Sequence, residues 1–235
     1  MIALSLLALA IAVTGILFAT SMRTFRSIDT ITVTGMAKKE VISDFIVWRG
    51  LIVTEDAKMQ KAYEDSKKNV DAMNAFFLKN SIDPSAVTIL PPNSTTLHQQ
   101  SIGGSGESKV IGYRYTQSFE VRSKEVRRIE MLSKQVSELI ERGIRLESYA
   151  PEYLITKFND YREELYAEAI KDAKHKAEKI AEEVGKKVVE MLNAKSDVFQ
   201  VTKRETTEIS ERGKYDTSTF EKEVMATVSA VFKFK

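Results

Sequence analysis

The chain has no cysteine, only two histidines and one tryptophan, and four prolines among 235 residues. Without cysteine it has no disulfide framework, no thiol catalysis and no cysteine-ligated metal. The histidines do not fill that gap. His175 stands among lysines with no second histidine or cysteine at ligand spacing, and His98 borders a polar segment, so both read as surface residues. An excess of one charge is also lacking. The net charge is +2, which Arg23 and Arg26 alone account for, leaving a balanced body. A nucleic-acid partner would need a net basic face to displace counterions, so none is expected.

Catalytic signatures are missing as well. The stretch IGGSGES, residues 102–108, contains Gly-x-Gly but links two strand-like segments. A phosphate cradle would instead open a helix after a strand and add a lysine and a hydroxyl. Nor does it match a Gly-x-Ser-x-Gly elbow. The pairs Glu163-Glu164 and Glu182-Glu183 are adjacent residues that diverge around a helix instead of converging on one bond. The expectation is a protein with no catalytic site, metal or cofactor. Asn93-Ser94-Thr95 fits a glycosylation sequon, which matters only in a eukaryotic secretory host.

One feature is present in abundance. From Ile2 to Met22 no charged side chain occurs. About 20 apolar residues at ~1.5 Å each reach across a hydrocarbon layer of ~30 Å. Residues 1–23 therefore read as a transmembrane helix that anchors the chain, or as a signal segment, followed by a short linker over 24–28. Small-x-small steps such as Ala8-Leu9-Ala10 come too early for cleavage, which favours the anchor. Arg23, Arg26, Lys38 and Lys39 follow the span and by themselves would hold the domain in the cytoplasm.

Residues 29–235 read as one domain. Strands are expected over Ile28–Thr34, ending in a turn at Gly35, and over Asp44–Glu55, with Gly50 marking a bulge or bend. A helix is expected over about Ala57–Lys79, then a strand in AVTILPP and a polar loop over Asn93–Ser108. Lys109–Ser123 alternates as a strand, Lys124–Arg142 repeats as a helix, and EYLITKF reads as a strand. The run LYAEAIKDAKHKAEKIAEEVG, residues 165–185, places Tyr166, Ile170, Ala173, Ala177, Ile180 and Val184 on one helical side. Strand-like segments close the chain. The order β-β-α-β-β-α-β-α-β-β predicts an α+β fold: an antiparallel or mixed sheet of long strands with three helices packed on it. Alanines on the last helix favour docking on the protein's own sheet over an intermolecular coiled coil.

ITVTGMAKKEVISDFIVWRG and YAEAIKDAKHKAEKIAEEVGKKVVEML, with YRYTQSFEVRS and LIERGIRLE between them, resemble the SIMPL-domain family in order and spacing. Two positions depart from its usual pattern, Met36-Ala37-Lys38 and Ser43-Asp44. The resemblance implies an exported protein of the bacterial envelope, inner-membrane anchored or periplasmic. It also implies a tendency to form homo-oligomers, a link to envelope or oxidative stress, and no catalytic residues to carry over. It places the domain on the extracytoplasmic side, against the arginines. The expected mode of action is binding and self-assembly without catalysis. Two alternatives stay open: a small-molecule binder or enzyme with a pocket lined by Trp48, Tyr113 and Tyr115, and an oligomeric scaffold or channel-like assembly.

Overall fold

The computed structural model describes residues 13–15, 29–99, 109–205 and 213–235. The membrane-anchor segment 1–23 and the linker 24–28 fall almost wholly outside them. Among the described residues no helix is long and apolar enough to cross a membrane.

The domain runs β1 (Thr30–Ile42), β2 (Phe45–Asp56), α1 (Met59–Lys79), a 3₁₀ turn (Pro84–Ala86), β3 (Val87–Ile89), β4 (Asn93–His98) and β5 (Val110–Ser123). It continues with α2 (Val126–Gln135), α3 (Ser137–Glu141), β6 (Leu146–Ser148), β7 (Glu152–Leu154), α4 (Phe158–Glu183), β8 (Val188–Lys203) and β9 (Glu221–Phe234). The class is α+β with antiparallel pairing, as expected. The strands divide into two sheets where one was expected. Three long strands form β1-β9-β8, and six form β3-β5-β2-β6 with β4 added on β5 and β7 on β2. The helix expected over Lys124–Arg142 breaks at Val136 into α2 and α3, so four helices pack on the sheets among the described residues. The polar segment after Pro92 begins as strand β4 and not as loop, and residues 100–108 lie outside the described residues.

The six-stranded sheet builds its core from large side chains. Ile46, Trp48 and Ile52 of β2 and Phe119 and Val121 of β5 meet Met73, Phe76 and Phe77 of α1. Trp48 sits edge-on to Phe119 at 5.1 Å and to Phe77 at 6.1 Å between ring centres. Gly50 makes no bulge, because the β2–β5 register runs through it unbroken. It lies opposite Phe119, and a Cβ there would meet that ring and the Glu147 carbonyl oxygen, each at 2.7 Å. The glycine makes room for an aromatic ring.

The three-stranded sheet packs differently. β1 does not turn at Gly35 but continues to Ile42. Gly35 lies beneath α4, where a Cβ would come within 2.6 Å of the Ala173 nitrogen and closer still to the Ala169 carbonyl oxygen. Leu165, Ala169, Ala173, Ala177 and Ala181 are the buried residues of α4, in strict four-residue steps. The side expected from the sequence is rotated by part of a turn. Ile180 and Val184 remain 42% and 60% exposed. Small residues on both surfaces let the helix backbone settle against the strand, and the alanine stripe wins the interface over the larger flanking residues.

Candidate functional site

Trp48, Tyr113 and Tyr115 share the helix-covered face of the six-stranded sheet. In the β2–β5 ladder Trp48 stands opposite Val121, Tyr115 opposite Thr54 and Tyr113 opposite Asp56. Thr54 lies six positions after Trp48, about 20 Å along a strand. The tyrosines are therefore neighbours and Trp48 is remote from them. Trp48 is enclosed by the core, and its indole N–H donates to Ser148 Oγ at 2.9 Å. Tyr115 is buried beneath the Tyr63 ring, 5.7 Å away, and Tyr113 is half-buried. His98 and His175 are both exposed and lie on different elements. Among the described residues no group of His, Asp or Glu could hold a metal ion.

Two arrangements escaped the sequence. The first is the seam between the sheets, closed by a strap over Gly213–Phe220. The Lys214 carbonyl accepts from Val201 N–H and Asp216 N–H donates to the Val201 carbonyl, which ties the strap to β8. On the other side, Tyr153 N–H donates to the Thr217 carbonyl, Ser43 N–H to the Phe220 carbonyl, and Ile155 N–H to the Tyr215 hydroxyl. The Phe220 ring stacks under the Arg127 guanidinium at 3.8 Å. Asp44, which opens β2, accepts from both the backbone N–H and the hydroxyl of Thr156 at 2.7 Å.

At the centre of the strap lies a buried ion pair. The Lys222 side chain has no solvent exposure, and its Nζ donates to the Asp216 carbonyl at 2.6 Å and carboxylate at 3.1 Å. Burial alone would raise the Asp216 pKa. The hydroxyls of Thr219 and Ser218, the Lys222 ammonium and the Ser218 N–H instead hold the carboxyl well below the usual carboxylate range. For Lys222 burial is the largest influence and lowers its pKa, with Asp216 pulling the other way. An ammonium sealed from solvent with its protons committed to Asp216 acts as a lock on the strap. Ser43 Oγ, buried at the same seam, has no hydrogen-bond partner among the described residues. The contacts that tie the strap to Ser43, Tyr153, Ile155 and Arg127 span long stretches of sequence, and only the Asp before β2 hinted at them.

The second is an apolar groove of about 350 Å³ where the end of α1 meets the 3₁₀ turn and β3. Phe77, Leu78, Ile82, Pro84, Val87 and Ile89 line it, with Asn74 as the one polar contributor. On the other sheet, β8 is exposed on both faces from Val189 to Asp197, because α4 lies mainly over β1 and β9. Val189, Met191 and Leu192 are each about half exposed.

Among solved structures the chain is similar in part to a hydantoinase/carbamoylase family amidase from Burkholderia ambifaria. The identity is 16% and the TM-score 0.24, covering 46% of this chain and 28% of that one. A second amidase of that kind, from Burkholderia multivorans, gives 15% identity and a TM-score of 0.26, covering 51% and 29%. The chain thus spans less than a third of those proteins, and likeness at this level carries no argument about activity. No curated protein shows a significant match. The family described as "SIMPL: Protein of unknown function (DUF541)" matches residues 31–232, from the second residue of β1 to the closing residues of β9. With both sheets, α4 and the intervening seam inside that match, the chain belongs to the SIMPL family.

Proposed function

We propose that this protein is a non-enzymatic component of the bacterial cell envelope that acts by binding and self-assembly, with a role in envelope or oxidative stress. Residues 1–23 anchor it in the inner membrane with the domain on the extracytoplasmic side, or leave it periplasmic if the segment is cleaved. The observation that carries the reading is β8, a long edge strand whose residues 189–197 are exposed on both faces and display three large apolar side chains. Such a strand is a template for association. Alkaline phosphatase fused after Lys235 is expected to be active in a bacterial host. An inactive fusion beside an active cytoplasmic reporter would overturn the orientation.

A small-molecule reading keeps one specific support. The groove beside Phe77 has the apolar lining and the size of a ligand site. On this reading an apolar fluorescent probe is displaced on replacing Ile82 with Glu, and unchanged binding removes the groove from consideration. A scaffold or channel-like assembly is self-assembly carried further, through the same β8 surface.

A further inference from the structure

The two edges of the three-stranded sheet are treated differently. On β1, Asp172 of α4 accepts a hydrogen bond from Met36 N–H at 2.8 Å, and Lys176 Nζ donates to the Thr34 carbonyl at 3.2 Å. Side chains of α4 thus occupy backbone groups of that edge. On β8, residues 189–197 pair with β9 alone among the described residues, and the strap joins the strand further along, at Val201.

Edge strands are commonly blunted by bulges and charges. β8 has three bulges: the last leaves the charged Asp197 unpaired, but the first two extrude apolar residues. The register with β9 slips between Val188 and Glu190 and again between Met191 and Asn193, leaving Val189 and Leu192 unpaired. The second slip also changes which side chains share a face. Met191 and Ala194 stand opposite Phe232 and Ala230, both on the α4 side, while Glu190 and Lys195 stand opposite Lys233 and Ser229 on the outer side. In a regular strand residues 190 and 195 would point to opposite faces. The bulge at Leu192 puts them on one.

We propose that β8 pairs antiparallel with β8 of a second copy of this chain, about a two-fold axis between Leu192 and Asn193, to join two three-stranded sheets into one. This rests on the self-assembly reading above. A two-fold at that point sets Glu190 against Lys195 of the second copy, and Lys195 against its Glu190. Cross-strand partners must share a face, and these do. Met191 is set against Ala194 by the same operation. The flank of α4 agrees. Tyr166 packs on Phe199 of β8, while Ile180 and Val184, further along that flank, stay bare beside the uncovered half of the strand. A second copy covers them.

The test uses the full chain in mild detergent, with mass measured by light scattering and sedimentation. The wild type associates. Glu190→Lys and Lys195→Glu each place like charges across the two-fold and weaken association roughly tenfold or more. The combined E190K/K195E chain restores it, because both pairs are again opposite in sign. Lys233→Met, which removes the contact of Glu190 within its own sheet at 3.5 Å, leaves association unchanged. If the wild type associates and the single reversals change nothing, or the double reversal fails to restore, the β8 surface is overturned while self-assembly stands. A monomeric wild type at micromolar concentration overturns both.

Discussion

The two sheets of this domain hold their helices by opposite means. Under α1 the contact is made of large rings, with Trp48, Phe77 and Phe119 meeting edge to face over the six-stranded sheet. Under α4 it is made mostly of small side chains: Ala169, Ala173 and Ala177 against Gly35, Val33, Ala37 and their neighbours on β9. The first interface owes its stability to buried apolar area, the second to close approach of backbones. They are therefore vulnerable to opposite substitutions. The ring-filled core suffers when volume is removed, and the alanine contact suffers when volume is added.

The largest effect is expected at Trp48. Trp48→Ala leaves a cavity among Phe77 and Phe119 and removes the indole hydrogen bond to Ser148 Oγ, at a cost of about 3–5 kcal/mol in a denaturant titration. A loss below about 1 kcal/mol would show that the ring packing is dispensable and remove the contrast.

The seam comes next, since it joins the two halves. Asp216→Asn keeps the shape but removes the charge facing Lys222, and should cost roughly 1.5–3 kcal/mol, in line with hydrogen bonds to charged groups. The pH dependence follows from the depressed Asp216 carboxyl. Its contribution is complete above the ordinary carboxylate range and is withdrawn as pH falls toward the lower, folded-state value. Acid unfolding of the wild type should therefore be steeper below the ordinary carboxylate range than that of Asp216→Asn. Superimposable acid transitions would remove the ion pair from the account.

Gly35→Ala adds a single methyl and is expected to cost about 1–3 kcal/mol by overpacking. The effect should be local. Hydrogen exchange should accelerate along α4 and stay unchanged along α1. An increase spread evenly over both helices would mean that the two interfaces are not separable.

Much of this fold was legible because it is written in short-range periodicity. The alternation in β2 and β5 and the helical repeat of α1 survive into the structure with ends within a few residues of those expected. The misreadings share one cause. Gly35 and Gly50 look like punctuation in a linear sequence, yet both are spacers: one for the Ala169–Ala173 stretch of a helix far along the chain, the other for the Phe119 ring. The break at Val136 and the strand at Asn93–His98 depend on what packs alongside them. Of the aromatic trio, Tyr113 and Tyr115 stay together through simple alternation. Trp48 is separated from them by the β2–β5 register, which no single strand reveals.

What the sequence determined by itself was the α+β class, the cysteine-free and charge-balanced body, and the kinship with the SIMPL family. These rest on composition, local side-chain direction and the order of motifs, all of which are properties of neighbours along the chain. The tertiary structure decided which flank of α4 is buried, how the strands divide into two sheets, and that the Gly213–Phe220 strap is locked by Asp216 and Lys222. It also decided that residues 189–197 of β8 keep an edge with no partner strand among the described residues. Those outcomes turn on which distant surface comes closest. On α4 the periodicity allows more than one face, and the alanines are buried because only they let the helix lie down on Gly35.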